Sequence, residues 1–331
     1  MKLEDVVHHF IKDAMIRQRS EHTLSAYRRC LAVLVRLLRD VCGMTELERV
    51  TVLHLRECVQ YLSTTSVLTG DRADRPASRR GHIPANGGIL SVSSVRTYVR
   101  IWKVFFRWCY LEDLIEKDII VRLVLPKPEK RVIVAFTTEH LEKILRSFDL
   151  STEMGFRDYV IVMLLLDTGM RLSEISGLTV DAVHDDYVKV FGKGRQEREI
   201  GIYPEVSKLL WKYVHKYRHP LDPKEKALFL GRGKPLGVNG FKLVVKRLKQ
   251  ATGISDVRVS PHTFRHTFAK MYLDQGGELF KLSRELGHSD IQVTKVYLED
   301  FGSTEARRDH NSYSPLAGLQ LNKQKRYKRR D

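Results

Sequence analysis

Apolar residues recur at helical spacing along the first third of the chain. Leu24, Tyr27, Leu31, Leu34 and Leu38 fall on one face behind Thr23, a candidate N-cap, and Gly43 follows as a stop. A second helix is predicted from about Val52 to Leu62. The stretch from Thr64 to Leu90 is rich in Gly, Pro, Ser and Arg and reads as a long basic loop. After it, Val95, Tyr98, Val99, Trp102, Phe105, Phe106 and Cys109 make the apolar face of another helix, with Ser93 as its N-cap. The segment LPKPEKR, with Pro126 and Pro128, cannot be regular helix and reads as an extended basic linker.

Beyond the linker the pattern becomes mixed. Thr137 or Thr138 caps a helix carrying Leu141, Ile144 and Leu145, and DYVIVMLLLDTG reads as a buried helix ended by Gly169. YVKVFGKGRQEREIGIY holds two strand-like runs around a Gly-Lys-Gly turn, which predicts a hairpin. More helices follow to about Phe301, and LNKQKRYKRRD is a basic tail. The expected fold is mainly α with a small β component. It divides into a helical unit over 1–125, a linker over 126–136, a mixed α/β unit over 137–312, and a C-terminal segment over 313–331.

Charge narrows the partners. Lys and Arg number 57 against 40 Asp and Glu, a net +17 among 331 residues, and such a field attracts polyanions such as nucleic acid or an anionic membrane surface. With 43% hydrophobic and 29% charged residues the composition is that of a folded chain. No stretch approaches the roughly 20 apolar residues of a membrane span, and the first residues are polar throughout, unlike a signal peptide. The expectation is a cytoplasmic protein without a membrane partner. Cys30, Cys42, Cys58 and Cys109 show no paired spacing and read as small, reduced, buried hydrophobes. On the third helix Arg96, Arg100, Lys103 and Arg107 line one side away from the apolar face. Such a stripe is either a solvated face or a set of contacts to DNA phosphates.

Separate segments carry residues suited to a phosphodiester. In LDTGMRLSEISGL, Arg171 follows the Thr168-Gly169 break at the start of a new helix, where its guanidinium can hold an anion or pair with Glu174. Lys193 sits between glycines at the hairpin tip, able to reach a neighbouring cleft or simply to face solvent. In SPHTFRHTFA, Ser260 and Pro261 are good N-cap and N1 residues, which puts His262 and Arg265 one turn apart near a helix N-terminus. His262 and His266 have metal-ligand spacing, but no Glu follows the first histidine and no third ligand is evident, so no metal is expected; His266 reads as a core residue. His288 follows a Leu-Gly turn in LGHSDIQVTKVYLED. Tyr297, in the same segment, is either one core tyrosine among 13 or a nucleophile set by its position after His288. Each segment is weak alone. Their order and spacing supply the specificity.

On those motifs the chain resembles the tyrosine recombinase (phage integrase) family, and in size and layout it is similar to simple Xer-like members. The resemblance runs from about Phe10 to Tyr297 and is strongest from Thr137 onward; RSEHTLSAYRRCL and SVSSVRTYVRIWKVFFRW look like helices of the family's core-binding domain. It implies a helical, SAM-like core-binding domain over 1–125 and a catalytic domain over 137–312, which clamp double-stranded DNA. It also implies a catalytic set of Arg171, Lys193, His262, Arg265, His288 and Tyr297, with no metal, no cofactor and no ATP. Tyr297 would attack the scissile phosphate and release a 5′-hydroxyl, with both arginines on the non-bridging oxygens. Lys193 would protonate the leaving oxygen, His262 would assist proton transfer at the tyrosine, and His288 would donate to the phosphate. Two specific recombination sites and a homotetramer are implied for strand exchange, with a monomer when free and with room for accessory proteins. The role expected is integration or excision of a mobile element. Dimer resolution of the Xer kind, a type IB topoisomerase and a non-catalytic DNA-binding protein are the alternatives. The loop over 64–90 looks longer than in compact members, the Asn-Pro before the linker is missing, and no extra arm-site domain is expected before the helices.

Overall fold

The computed structural model describes residues 1–65, 89–127, 134–191 and 197–287. The chain forms two compact units, Met1–Arg131 and Val132–Asp331. Its fold is mainly α with a small β component, as the periodicities predict.

In the first unit, helices α1 (Leu3–Ile16), α2 (Glu21–Cys42), α3 (Val52–Thr64) and α4 (Val92–Leu111) enclose Leu31, Leu34, Leu38, Leu55, Trp102, Phe105 and Phe106, all fully buried. The Trp102 indole N–H, which would be costly to bury alone, donates to the Cys30 carbonyl at 3.0 Å. Helix α1 goes beyond the elements predicted; its Leu3, Val6, Phe10, Ile11 and Ala14 make a buried stripe of helical spacing. Two caps differ from those expected. Helix α2 starts after Ser20, whose Oγ accepts the Thr23 N–H at 3.3 Å, and α4 starts after Ser91, whose Oγ accepts the Ser94 N–H at 3.3 Å. Several hydroxyls stand in line at each site, and the cap is the upstream one, on extended backbone, that catches the third amide of the helix. Thr23 and Ser93 therefore sit inside the first turns. Gly43 is the left-handed C-cap of α2. The four cysteines are free, and burial pushes the Cys109 thiol up to about 12, which suits a packed hydrophobe rather than a reactive group. Most of the expected basic loop, the C-terminal segment and the basic tail lie outside the described residues.

In the second unit Thr137 caps α5 (Thr138–Arg146). Helix α6 (Glu153–Thr168) is central, with Phe156, Val160, Ile161, Val162, Leu164 and Leu165 all buried. It packs on α10 (Pro261–Asp274), and α7 (Leu172–Ser176) packs on α9 (Val238–Thr252). The expected hairpin is β1 (Tyr187–Phe191) paired antiparallel with β2 (Glu197–Gly201), and Val188, Val190 and Ile200 turn inward. Helix α8 (Pro204–Lys212) follows the hairpin. A short ribbon of β3 (Leu230–Gly231) and β4 (Lys234–Pro235), too brief to leave a period in the sequence, precedes α9. Helix α11 (Leu279–Leu286) packs on α10 and on β2. Among the described residues no helix is long and apolar enough to cross a membrane.

Gly169 ends α6 in the left-handed region at φ 57°, and a Cβ there would lie 2.4 Å from Phe268 Cδ1 and 3.0 Å from Leu286 Cδ2. It thus lets α6 stop where α10 and α11 meet. Gly169→Ala is expected to destabilise the second unit by about 2 kcal/mol or more, from left-handed strain together with overpacking. A urea-unfolding midpoint equal to that of the parent chain would refute this.

Candidate active site

The Gly169 turn delivers Arg171 to the N-cap of α7. Its backbone N–H donates to Glu174 Oε2 at 2.8 Å, Nη1 donates to Glu174 Oε1 at 3.0 Å, and Nη2 donates to the Gly287 carbonyl at 3.1 Å. The pairing with Glu174 thus forms, and it coexists with a side chain that is still 40% exposed. Arg265, on α10, is buried; Nη1 donates to the Gly169 carbonyl at 2.8 Å and Nη2 to the Leu286 carbonyl at 2.7 Å. Both arginines therefore reach the end of α11, Arg265 while also holding the turn that ends α6 and Arg171 from the N-cap that follows that turn. Those last carbonyls have no partners within their own helix, and a guanidinium supplies two donors in a rigid plane.

His262 stands in the first turn of α10, which begins at Ser260 and Pro261 as expected, with Ser260 Oγ accepting the Thr263 N–H at 3.3 Å. His262 is exposed while Arg265, one turn on, is buried. The helix thus presents a depth gradient, with the histidine outermost. His266 is buried at 4% exposure, and among the described residues no group of three His, Cys, Asp or Glu is placed to hold a metal. Lys193, His288 and Tyr297 lie outside the described residues. Their flanks do not: β1 and β2 bracket the segment containing Lys193, and Gly287, whose carbonyl holds Arg171, immediately precedes His288.

Two further residues take part. Glu174, with a side chain 4% exposed, is held by Arg171 and also by Arg198 of β2, whose Nη1 and Nη2 meet its two oxygens at 3.0 and 3.1 Å. Burial alone would raise the Glu174 pKa, but the hydrogen bonds from Arg198, with those from Arg171, outweigh it and hold the carboxyl below its ordinary range. Arg198 also reaches the carbonyls of Glu285 at 3.3 Å and Leu286 at 3.5 Å. Its signal in the sequence is a charged residue on the face of β2 that Ile200 shares. Ile200 marks that face for apolar packing, so the charge beside it is easily passed over.

The stripe on α4 has partners of its own. Arg96 donates to the Pro126 carbonyl, Lys103 to the Leu123 carbonyl at 2.9 Å, and Arg107 pairs with Asp118 at 2.5 Å. From α3, Arg56 joins them on the Arg122 carbonyl at 3.2 Å. Only Arg100, which is exposed, has no such partner among the described residues. The stripe fastens the stretch that leads into the linker.

The lowered pKa of Glu174 has a consequence for acid stability. Stability from this carboxylate is fully present above the ordinary glutamate pKa near 4.5 and is lost as pH falls through the lower folded value. Glu174→Gln should cost about 3 kcal/mol at neutral pH, because it leaves a buried guanidinium facing a neutral amide. Urea unfolding should show that gap narrowing as pH falls below the ordinary glutamate range and the parent carboxyl is itself protonated. A gap that stays constant with pH would show that Glu174 is not ionised in the fold.

Comparison with known proteins gives the chain its relatives. The sequence pattern of the phage integrase family matches residues 135–302. Tyrosine recombinase XerD of Staphylococcus haemolyticus (strain JCSC1435) is 29% identical over 323 residues, covering 95% of this chain and 100% of the relative. The fold is similar to that of the Tn1549 transposon integrase in complex with circular intermediate DNA, with a TM-score of 0.67 at 20% identity over 93% of this chain and 99% of that one. It is also similar to the lambda integrase tetramer bound to a Holliday junction, with a TM-score of 0.66 at 18% identity over 88% of this chain and 78% of that one.

Proposed function

The chain belongs to the phage integrase family, and on that premise we propose that it is a site-specific tyrosine recombinase, which cleaves and rejoins double-stranded DNA through a 3′-phosphotyrosyl bond to Tyr297. The observation that carries this reading is the joint anchoring of Arg171 and Arg265 at the end of α11, beside the Gly169 turn that Arg265 also holds. Two fixed guanidiniums at one place suit the non-bridging oxygens of a phosphate, whose charge grows in the transition state. Fixed donors of this kind do what metal ions do in many nucleases.

The Tyr297 oxygen attacks phosphorus and loses its proton, with His262 assisting. The bond to the 5′-oxygen breaks, and Lys193 protonates that oxygen as it leaves. His288 donates to the phosphate. A later 5′-hydroxyl attacks the phosphotyrosine and expels the phenolate, so the phosphodiester is restored without ATP. A phenol, with a pKa of about 10, is a better leaving group than a sugar alkoxide, which keeps the exchange reversible. Tetramer assembly for strand exchange is proposed by analogy with the lambda integrase tetramer bound to a Holliday junction, and the free chain is proposed to be a monomer. Integration or excision of a mobile element is the role proposed, by analogy with the transposon integrase. Dimer resolution is the second reading, favoured by a XerD relative that matches along its whole length. On α4, Arg100 is the side chain proposed to touch the DNA backbone, with the charges of Arg96, Lys103 and Arg107 beside it.

Tyr297→Phe should bind DNA normally and form no protein–DNA adduct on a nicked suicide duplex; an adduct would remove Tyr297 as nucleophile. Arg171→Ala or Arg265→Ala should lower cleavage about 10²-fold or more. Strand-transfer products from two cognate sites, rather than relaxation of a plasmid or binding alone, separate a recombinase from a topoisomerase and from a passive binder.

Lys193→Ala should be slow on a normal phosphodiester and recover on a bridging 5′-phosphorothiolate, because a thiolate leaves without a proton. Equal slowness on both substrates would make Lys193 a phosphate contact or a structural residue.

A further inference from the structure

Arg171 owes its orientation to Glu174, and this creates an electrostatic problem. A buried carboxylate that holds one guanidinium also cancels its charge, and a neutralised Arg171 has little to offer a phosphate. Arg198 sits where it answers that problem. It spans both oxygens of Glu174 at 3.0 and 3.1 Å, whereas the Arg171 side chain meets one oxygen and its backbone N–H meets the other. The Arg198 side chain is 17% exposed against 40% for Arg171, so the bidentate partner lies inside and the other faces out.

Arg198 also fixes the ground around the site. It rises from β2, next to the strand's first residue, and its Nε and Nη2 reach the carbonyls of Glu285 and Leu286. A Cβ on Gly287 would lie 2.6 Å from its guanidinium carbon, so the glycine before His288 leaves room for this side chain and little more. One guanidinium thus ties β2, α7 and the end of α11 together.

We propose that Arg198 is a positioning residue whose guanidinium acts as the counter-ion of Glu174, leaving the charge of Arg171 uncompensated for the scissile phosphate. This rests on the recombinase reading above and adds to it a residue that does not touch DNA. With Arg198 present, Glu174 is balanced from behind and still orients Arg171. Without it, a single buried carboxylate faces Arg171 alone and draws that guanidinium into a neutral pair.

The test uses the full chain and a nicked duplex whose sequence is recovered by binding selection from a random duplex pool. Adduct formation is followed in single turnover, and affinity by mobility shift on the same duplex. Arg198→Gln should bind with affinity close to that of the parent and cleave more slowly by about tenfold or more, since the loss falls on transition-state charge rather than on binding. Adding Glu174→Gln should restore most of the lost rate, because no carboxylate then remains to cancel Arg171. Arg198→Lys, which keeps the charge but cannot span two oxygens, should lie between the parent and Arg198→Gln.

Unchanged cleavage by Arg198→Gln, or a double variant no faster than Arg198→Gln alone, overturns the proposal, since a residue that merely holds the fold would not be rescued by removing its partner. If Arg198→Gln does not fold, the double variant decides: cleavage within about tenfold of the parent supports the counter-ion role, and a larger loss overturns it. A parent chain that forms no adduct overturns the recombinase reading and this inference with it, whereas an active parent with indifferent variants overturns this inference alone.

Discussion

The end of α11 leaves carbonyls with no partner inside that helix, and guanidiniums of Arg171, Arg198 and Arg265 end on them. That requirement organises the second unit. Arg265 can reach Leu286 only because α10 crosses α6 at Gly169, and Arg171 can reach Gly287 only because α7 restarts directly after the same glycine. Three elements distant in sequence are thus held by donors that each need a fixed plane. A lysine could supply the charge but not the paired geometry. The site is a by-product of satisfying a helix end, with one face of the cluster left open at Arg171.

Much of this was legible in the sequence, and the reasons differ by residue. The apolar stripes of α2, α3 and α4 and the run in α6 gave their helices directly, because burial imposes a period that survives in one sequence. Gly43 and Gly169 were readable as stops because a left-handed end nearly always takes glycine. Caps were less legible where several hydroxyls stood together, as at Ser20 with Thr23 and Ser91 with Ser93, since the choice depends on where the backbone leaves the extended region. Arg171, His262 and Arg265 could be chosen by motif. What no motif could supply was depth. His262 and Arg265 share a helix turn, yet one is exposed and the other buried, and only the packing of α10 against α6 and α11 decides that.

Arg198 and Glu174 show a second limit. A salt bridge between Arg171 and Glu174 was foreseeable at i+3, and it looked like a competitor of function. In the structure the pair forms while Arg171 stays exposed, and Glu174 has a second partner 24 residues away on a strand. Local spacing reveals pairs. A carboxylate shared between two arginines from different elements is a tertiary fact, and its one trace in the sequence was a charge on the inward face of β2.

The stripe on α4 and the cluster around α11 solve the same problem in different places. A cation that hydrogen-bonds to a carbonyl is oriented but keeps its full charge, whereas one paired with a carboxylate is oriented and largely cancelled. Arg96 and Lys103 donate to carbonyls and so still add to the field that a polyanion meets, although their geometry is committed to the stretch that leads into the linker. Arg107, paired with Asp118, contributes less. Arg265 likewise is held by two carbonyls and gives up no charge to either of them. Arg171 differs in that one of its partners is an anion, Glu174, which it shares with Arg198, and the second cation stands behind that carboxylate. The net +17 of the chain is therefore a poor guide to where its field is strong. What matters at each arginine is whether its anchor is a dipole or a charge.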